Sequence, residues 1–311
     1  MTGLVELLDS GPGVLDGGLA SELVARGHDL SGALWSARLL RDDPGAIREV
    51  HRTYFDAGAS VGISASYQAS RSGFARDGLE AAEADRLLAL SVRLVREARD
   101  EARAGQPMLV AASVGPYGAT RHDGSEYRGR YGVAHEQLVA FHAERLEVLL
   151  DAGPDLLAVE TVPDVDEVRA VVEALDVVGS TLPAWLSLSC ADDATTCAGQ
   201  PVEDAVALVA ASDRLHAVGV NCTAPEHVEG LVRRIRAAAP ALPVVVYPNA
   251  GRVWDAEASE WLGDGSDLLP RSAVRDWYAA GATLVGGCCG LGPAAVADVA
   301  AVAEQAARAT G

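Results

Sequence analysis

The sequence contains no lysine: all 25 of its basic residues are arginine. That absence excludes Schiff-base chemistry and a phosphate-binding P-loop together, because both need a lysine amine. No apolar run approaches the roughly 18 residues of a membrane-spanning helix. The acidic N-terminus lacks a basic segment followed by an apolar one, so no secretion signal is expected and the cytoplasm is the expected location. There is no basic stripe, and the formal net charge is −19. Such a surface repels a phosphate backbone, which excludes nucleic acid as a partner. No CxxC pair occurs, and no Ser/Pro-rich linker divides the chain.

What is present is an alternation. Short apolar runs of strand length fall at 14–16, 61–65, 108–114, 156–160, 184–189, 217–221, 244–247 and 283–286. Most are continuously apolar, as strands buried on both faces of a parallel sheet should be. Amphipathic segments of helical period separate them. Leu87, Leu90, Leu94 and Ala98 share one helical stripe, and Leu138, Phe141, Leu146 and Leu149 share another. Asp56-Ala57-Gly58, Asp151-Ala152-Gly153 and Ala279-Ala280-Gly281 each close a helical segment just before a strand. Glycine suits the left-handed residue that ends a helix. Eight βα units predict an α/β fold, a single-domain (βα)8 TIM-type barrel over residues 1–311 with its first strand paired to its last. An open doubly wound sheet is the rival. Two long polar connections, 115–131 and 249–267, are expected over the functional face.

In such barrels chemistry collects where strands end. Those ends read Asp16-Gly17-Gly18, Ser64 with Ser66-Tyr67-Gln68, Ser113-Val114-Gly115, Glu160-Thr161, Asn221-Cys222, Tyr247-Pro248-Asn249 and Cys288-Cys289. Five cysteines in a reducing compartment are not a disulfide framework. Cys190 and Cys197 read as core filling. Cys222, Cys288 and Cys289 each follow a strand, and three readings fit them: a zinc site, a redox pair, or buried structural thiols. Three thiolates with a vacant fourth position is the pattern of a catalytic rather than a structural zinc. Zinc held by three thiolates carries a formal charge of −1 and is a weak Lewis acid for water. It suits an incoming thiol, kept as a nucleophilic thiolate, so alkyl transfer to sulfur is favoured over hydrolysis.

The segments LDGGLASEL (15–23), LWSARLL (34–40), ISASYQAS (63–70), ASVGPYGA (112–119), DGSEYRGRY (123–131), DLLAVET (155–161), GVNCTAP (219–225), VVYPNAG (245–251) and GGCC (286–289) together resemble the homocysteine S-methyltransferase family, most closely its bacterial S-methylmethionine-dependent members. The resemblance spans almost the whole chain. It implies a (βα)8 barrel with zinc on Cys222, Cys288 and Cys289 and the homocysteine sulfur as fourth ligand. It also implies that Asp16 and Glu160 hold the homocysteine amino group. The Gly17 and Gly18 N–H groups are expected to meet the substrate carboxylate, and Ser64 and Asn221 to line the same mouth. Asp16 or Glu160 is the expected acceptor of the thiol proton. Tyr67, Tyr117 and Tyr131 are expected against a sulfonium, whose charge suits an aromatic face.

The implied reaction moves a methyl group from S-methylmethionine, or from S-adenosylmethionine, to homocysteine. The alternatives are the same chemistry on another thiol or a selenol, and a non-catalytic zinc- or redox-sensing barrel. The implied partners are small molecules, with no membrane and no nucleic acid. Members of the family often read Asn-Ser-Gly-Glu where this chain has Asn249-Ala250-Gly251-Arg252. They also often carry threonines after the cysteine pair, where this chain has Gly290-Leu291-Gly292-Pro293.

Overall fold

A computed structural model describes residues 3–30, 36–103, 107–121, 123–251, 253–255, 260–262 and 265–310. Its strands are β1 (Gly13–Val14), β2 (Val61–Ile63), β3 (Leu109–Val114), β4 (Leu156–Val162), β5 (Ala184–Leu188), β6 (Leu215–Asn221), β7 (Val244–Tyr247), β8 (Val253–Asp255), β9 (Glu260–Leu262) and β10 (Ala282–Val285). Eight of them form one parallel sheet in the order β1-β10-β7-β6-β5-β4-β3-β2. The expected pairing of first strand with last is therefore present. A bridge between Leu15 and Val61 joins the two ends of this sheet. There Ser60 N–H donates to the Val14 carbonyl at 2.7 Å and Asp16 N–H to that of Val61 at 3.1 Å. An open doubly wound sheet would leave two unpaired edges; here the ends meet, and the sheet is a barrel.

Alternation along the strands sorts the core into two layers. On β4, Leu157 and Val159 face outward to pack beneath the helices, while Leu156 and Ala158 face the barrel axis. The axial cluster also holds Leu15, Val61, Leu109, Ala111, Trp185, Ala217, Val245, Tyr247 and Leu284. Leu4, Leu7 and Leu8 join it from the helix Leu4–Asp9. Their i, i+3, i+4 spacing gives that short helix one apolar stripe, and the stripe closes the barrel floor. Further along the same axial face the residues turn polar: Ser113 after Ala111, Glu160 after Ala158, Ser187 after Trp185, Asn221 beyond Ala217. One end of the barrel is thus plugged with hydrocarbon and the other is lined with hydrogen-bonding groups.

The helices follow from the same local rules. Pro44–Asp56 begins with Pro at its first turn, and the Asp43 carboxylate accepts the Ala46 N–H at 3.2 Å. It buries Ile47, Val50, His51, Tyr54 and Phe55 on one stripe. The three repeat glycines all adopt the left-handed conformation, with φ of 107° at Gly58, 69° at Gly153 and 113° at Gly281. Arg96 donates to the free carbonyls of Ala152 and Gly153, capping the second of these turns. Among the described residues no helix is long and apolar enough to cross a membrane. The connection 249–267 is long and polar in sequence, the mark of a loop. It contains the antiparallel pair β8–β9, with Trp254 opposite Trp261.

Candidate metal centre and barrel mouth

The three strand-end cysteines converge. The Cys222 Sγ lies 2.7 Å from that of Cys288 and 3.6 Å from that of Cys289, and the latter two are 3.9 Å apart. They form the one cluster of metal-ligating side chains among the described residues. Four-coordinate sulfur at about 2.3 Å from zinc places neighbouring sulfurs roughly 3.8 Å apart. Two of the three separations match that spacing and the third is tighter. The donor set fits a soft divalent cation on electrostatic grounds as well. Without one, Cys222 is the thiol held well below its ordinary range, because the Cys288 and Cys289 S–H groups donate to it. Three thiolates in mutual contact need a cation to coexist. Cys190 is buried elsewhere in the core, as expected, and Cys197 is half-buried; neither joins the cluster.

Backbone geometry builds this convergence. Cys222 has a φ of 47°, a left-handed conformation that a side-chain-bearing residue rarely adopts. Its N–H donates to the Tyr247 carbonyl at 3.1 Å, and its own carbonyl accepts from the Asn249 amide at 3.3 Å. The cysteine pair is fixed from both sides. Cys288 N–H donates to the Pro248 carbonyl at 2.7 Å, Ala250 N–H to that of Cys289 at 2.8 Å, and Gly287 N–H to that of Asp16 at 3.0 Å. The departure Gly290-Leu291-Gly292 forms the turn that closes this arrangement. Gly290 (φ 83°) donates its N–H to the Ser21 hydroxyl at 2.7 Å, and the fully buried Leu291 returns its N–H to the Cys288 carbonyl. Arg252, the other departure, lies outside the described residues.

Around the thiols stand two buried carboxylates. Asp16 accepts the Ile63 N–H at 2.7 Å, and burial raises its carboxyl well above the ordinary range despite that bond. Glu160 accepts from the Ser113 hydroxyl. Burial pushes it up to about 7, against the lowering pull of the Ser113 and Tyr247 hydroxyls. Tyr247 is itself held, receiving the Trp185 indole N–H at 3.1 Å and lying 2.5 Å from the Ser187 hydroxyl.

A folded-state carboxyl raised above its unfolded value binds its proton more tightly when folded. The metal-free chain should therefore lose stability as pH rises from about 4.5 to about 7, by roughly 3 kcal/mol from this group. Urea unfolding across that window should show the slope in the parent chain and a shallower one in Glu160→Gln.

The remaining expected site residues are brought to the same mouth with different partners. Gly18 is a correction: its N–H donates to the Leu291 carbonyl at 2.9 Å and is not free for a carboxylate. A Cβ on Gly18 would lie 2.5 Å from the Cys288 carbonyl oxygen, so this glycine permits the close approach of the cysteine turn. The Gly17 N–H has no acceptor among the described residues. Ser64 is buried, 2.7 Å from the Ser66 hydroxyl, and accepts the Ser113 N–H at 3.1 Å. Asn221 is fully buried and clasps Thr161 at two points. Its Oδ1 accepts the Thr161 N–H, and its Nδ2 donates to the Thr161 hydroxyl, each at 2.7 Å. It braces the strand that carries Glu160 against the strand that carries Cys222.

Of the three tyrosines expected at a sulfonium, two are engaged with other partners. Tyr117 and Tyr131 pack on each other with ring centres 5.4 Å apart, and Tyr131 donates to Glu167 at 2.7 Å. The tyrosine that sequence reasoning missed is Tyr127, whose hydroxyl is 3.9 Å from the Cys222 Sγ. It stands in DGSEYRGRY, the segment whose last residue, Tyr131, carries the sequence expectation instead.

A parallel (βα)8 barrel with a three-thiol cluster able to hold a metal at its C-terminal mouth has the layout of a barrel enzyme. The family model for homocysteine S-methyltransferase matches residues 13–303, and the chain belongs to that family. It is 45% identical over 312 residues to homocysteine S-methyltransferase 4 of Zea mays, covering 95% of this chain and 90% of that one. It is 40% identical over 313 residues to homocysteine S-methyltransferase YbgG of Bacillus subtilis, covering 98% and 99%. Among solved structures, the metallated form of the homocysteine methyltransferase MmuM from Escherichia coli superposes with a TM-score of 0.84. The two are 42% identical, and the match covers 95% of this chain and 98% of that one.

Proposed function

We propose that the protein transfers a methyl group from a sulfonium amino acid to the sulfur of homocysteine, giving methionine, at zinc held by Cys222, Cys288 and Cys289. The carrying observation is the convergence of three thiols beside two buried carboxylates at one barrel mouth. Zinc on these thiolates would keep an incoming thiol ionised and nucleophilic at neutral pH.

The chain's own residues do the rest. Asp16 and Glu160 receive the homocysteine ammonium, and the free Gly17 N–H meets its carboxylate. The thiol proton leaves through one of the two carboxylates. Asn221, Ser64 and Gly18 hold these groups in place rather than touching substrate. The methyl-to-sulfur bond of the donor then breaks, with its electron pair staying on the donor sulfur, as a new bond forms from the homocysteine sulfur to that carbon. The donor's positive charge is discharged, and no other co-reactant is required. Holding the two sulfurs and the carbon in line supplies much of the rate. S-Methylmethionine is the expected donor, ahead of S-adenosylmethionine. The residues 1–311 act as one homocysteine-binding domain, in the cytoplasm, whose reducing conditions keep cysteines out of disulfides.

The test is methionine formation from homocysteine with each donor, run beside metal analysis of the same sample. Turnover with S-methylmethionine in zinc-containing protein, abolished by chelation and restored by zinc, is expected. Turnover undiminished in metal-free protein would overturn the proposal.

A further inference from the structure

Homocysteine accounts for Asp16 and Glu160, but the mouth holds a third buried carboxylate with no assigned task. Glu126 is 8% exposed, and its Oε2 is buried without a hydrogen-bond partner. The hydroxyl of Tyr67 is buried as well, with no close hydrogen-bond partner and only the Thr161 side chain drawing on it. An orphaned buried acceptor is costly, and two in one place mark groups awaiting a ligand. The charge of Glu126 acts on the Tyr67 hydroxyl, and that of Cys222 acts on Glu126, Tyr67 and Tyr127. The three side chains therefore lie near the thiol centre, Tyr127 with its hydroxyl 3.9 Å from the Cys222 sulfur.

The arrangement is rigid. Arg145, 1% exposed, donates to the carbonyls of Ser66, Tyr67 and Gly115 at 3.0, 3.1 and 2.9 Å, tying the connections after β2 and β3 together. A Cβ on Gly115 would lie 2.7 Å from the Tyr67 ring, so glycine there makes room for it. The cation nearest in sequence, Arg128, reaches toward Asp123 at 4.0 Å with its side chain 67% exposed and acts on Glu126 only through its field.

We propose that Glu126, Tyr67 and Tyr127 form the subsite for the cationic methyl donor, with the Glu126 carboxylate receiving its ammonium and the two tyrosines flanking its sulfonium. The inference rests on the methyl-transfer reading above. Two amino acids must meet there, each bringing an ammonium, and the mouth offers a separate carboxylate set for each. A sulfonium beside aromatic faces is stabilised as other cations are, and Tyr127 already touches the sulfur of Cys222. Burial, helped by the charges of Asp123 and Cys222 and opposed by that of Arg128, pushes the Glu126 carboxyl up to about 7.

Calorimetric titration of the zinc-loaded protein tests this, with S-methylmethionine alone and with homocysteine alone. Glu126→Gln should weaken donor binding at least tenfold and leave the homocysteine Kd within twofold. Tyr67→Phe should show the same preference, more weakly, and carries the test if Glu126→Gln fails to fold. Donor binding undiminished in both variants would overturn the subsite while leaving methyl transfer intact. So would equal loss of both ligands, the sign of a merely structural role. A parent chain that binds homocysteine but no sulfonium would overturn the donor reading and this inference together.

Discussion

Replacing any one of Cys222, Cys288 or Cys289 by alanine is expected to abolish metal retention and methyl transfer together. Changing a residue that only orients a ligand costs about 10- to 100-fold in affinity or activity; removing a ligand itself should exceed that. The three sulfurs lie within 4.8 Å of one another, so no single one is redundant. Cys222 is the most demanding to replace in kind, because its left-handed backbone fixes where its sulfur points. Cys190→Ala should keep its metal, since Cys190 lies outside the cluster. Elemental analysis after gel filtration, with a methionine assay on the same fractions, reads both quantities. A metal-free alanine variant with parental turnover would break the link between centre and chemistry.

The second large effect is on the fold. Gly219→Ala should destabilise the chain by at least about 3 kcal/mol, at the upper end of overpacking costs. A Cβ at that position would lie 1.6 Å from the Val245 carbonyl oxygen and 2.6 Å from its carbonyl carbon. Both atoms are backbone in β7, where Gly219 and Val245 are paired in register. No side-chain rotation relieves the clash, and separating the strands would displace Asn221 and Cys222 just beyond. Denaturant unfolding of the metal-free variant should show the loss, and a midpoint equal to the parent's would contradict this account of the GVNC glycine.

These two cases show what the sequence carried. The barrel was legible because continuous apolar runs and helical periods alternate without interruption, and because β1 and β10 both read as strands. The boundaries moved by a few residues: β4 runs to Val162 and β6 begins at Leu215, because pairing with neighbours extends a strand past its apolar stretch. The hairpin β8–β9 was not seen, since three-residue strands give too short a pattern to separate from loop. The floor helix Leu4–Asp9 was readable from its leucine spacing but carried no chemistry to draw attention.

At the site, the cysteines were legible because thiols at strand ends are rare and chemically specific. Asn221 and Ser64 are buried among other polar side chains, and their partners could not be read from position. Which face a polar side chain satisfies depends on the neighbouring strand, and Thr161 is 60 residues from Asn221 in sequence. Gly18 was read as a donor to substrate for the same reason, whereas the turn at Leu291 takes its N–H. Tyr127 and Glu126 sat inside a recognised segment, and only the folding of that connection back over Cys222 distinguishes them from Tyr117 and Tyr131.

The most direct test of the account is zinc-edge X-ray absorption of the zinc-loaded chain, recorded before and after homocysteine is added. Three protein thiolates and one substrate sulfur predict that the number of sulfur neighbours at about 2.3 Å rises by one on addition. An unchanged sulfur count, with homocysteine bound by an independent measure, would contradict the claim that this three-cysteine centre is where the acceptor sulfur is held.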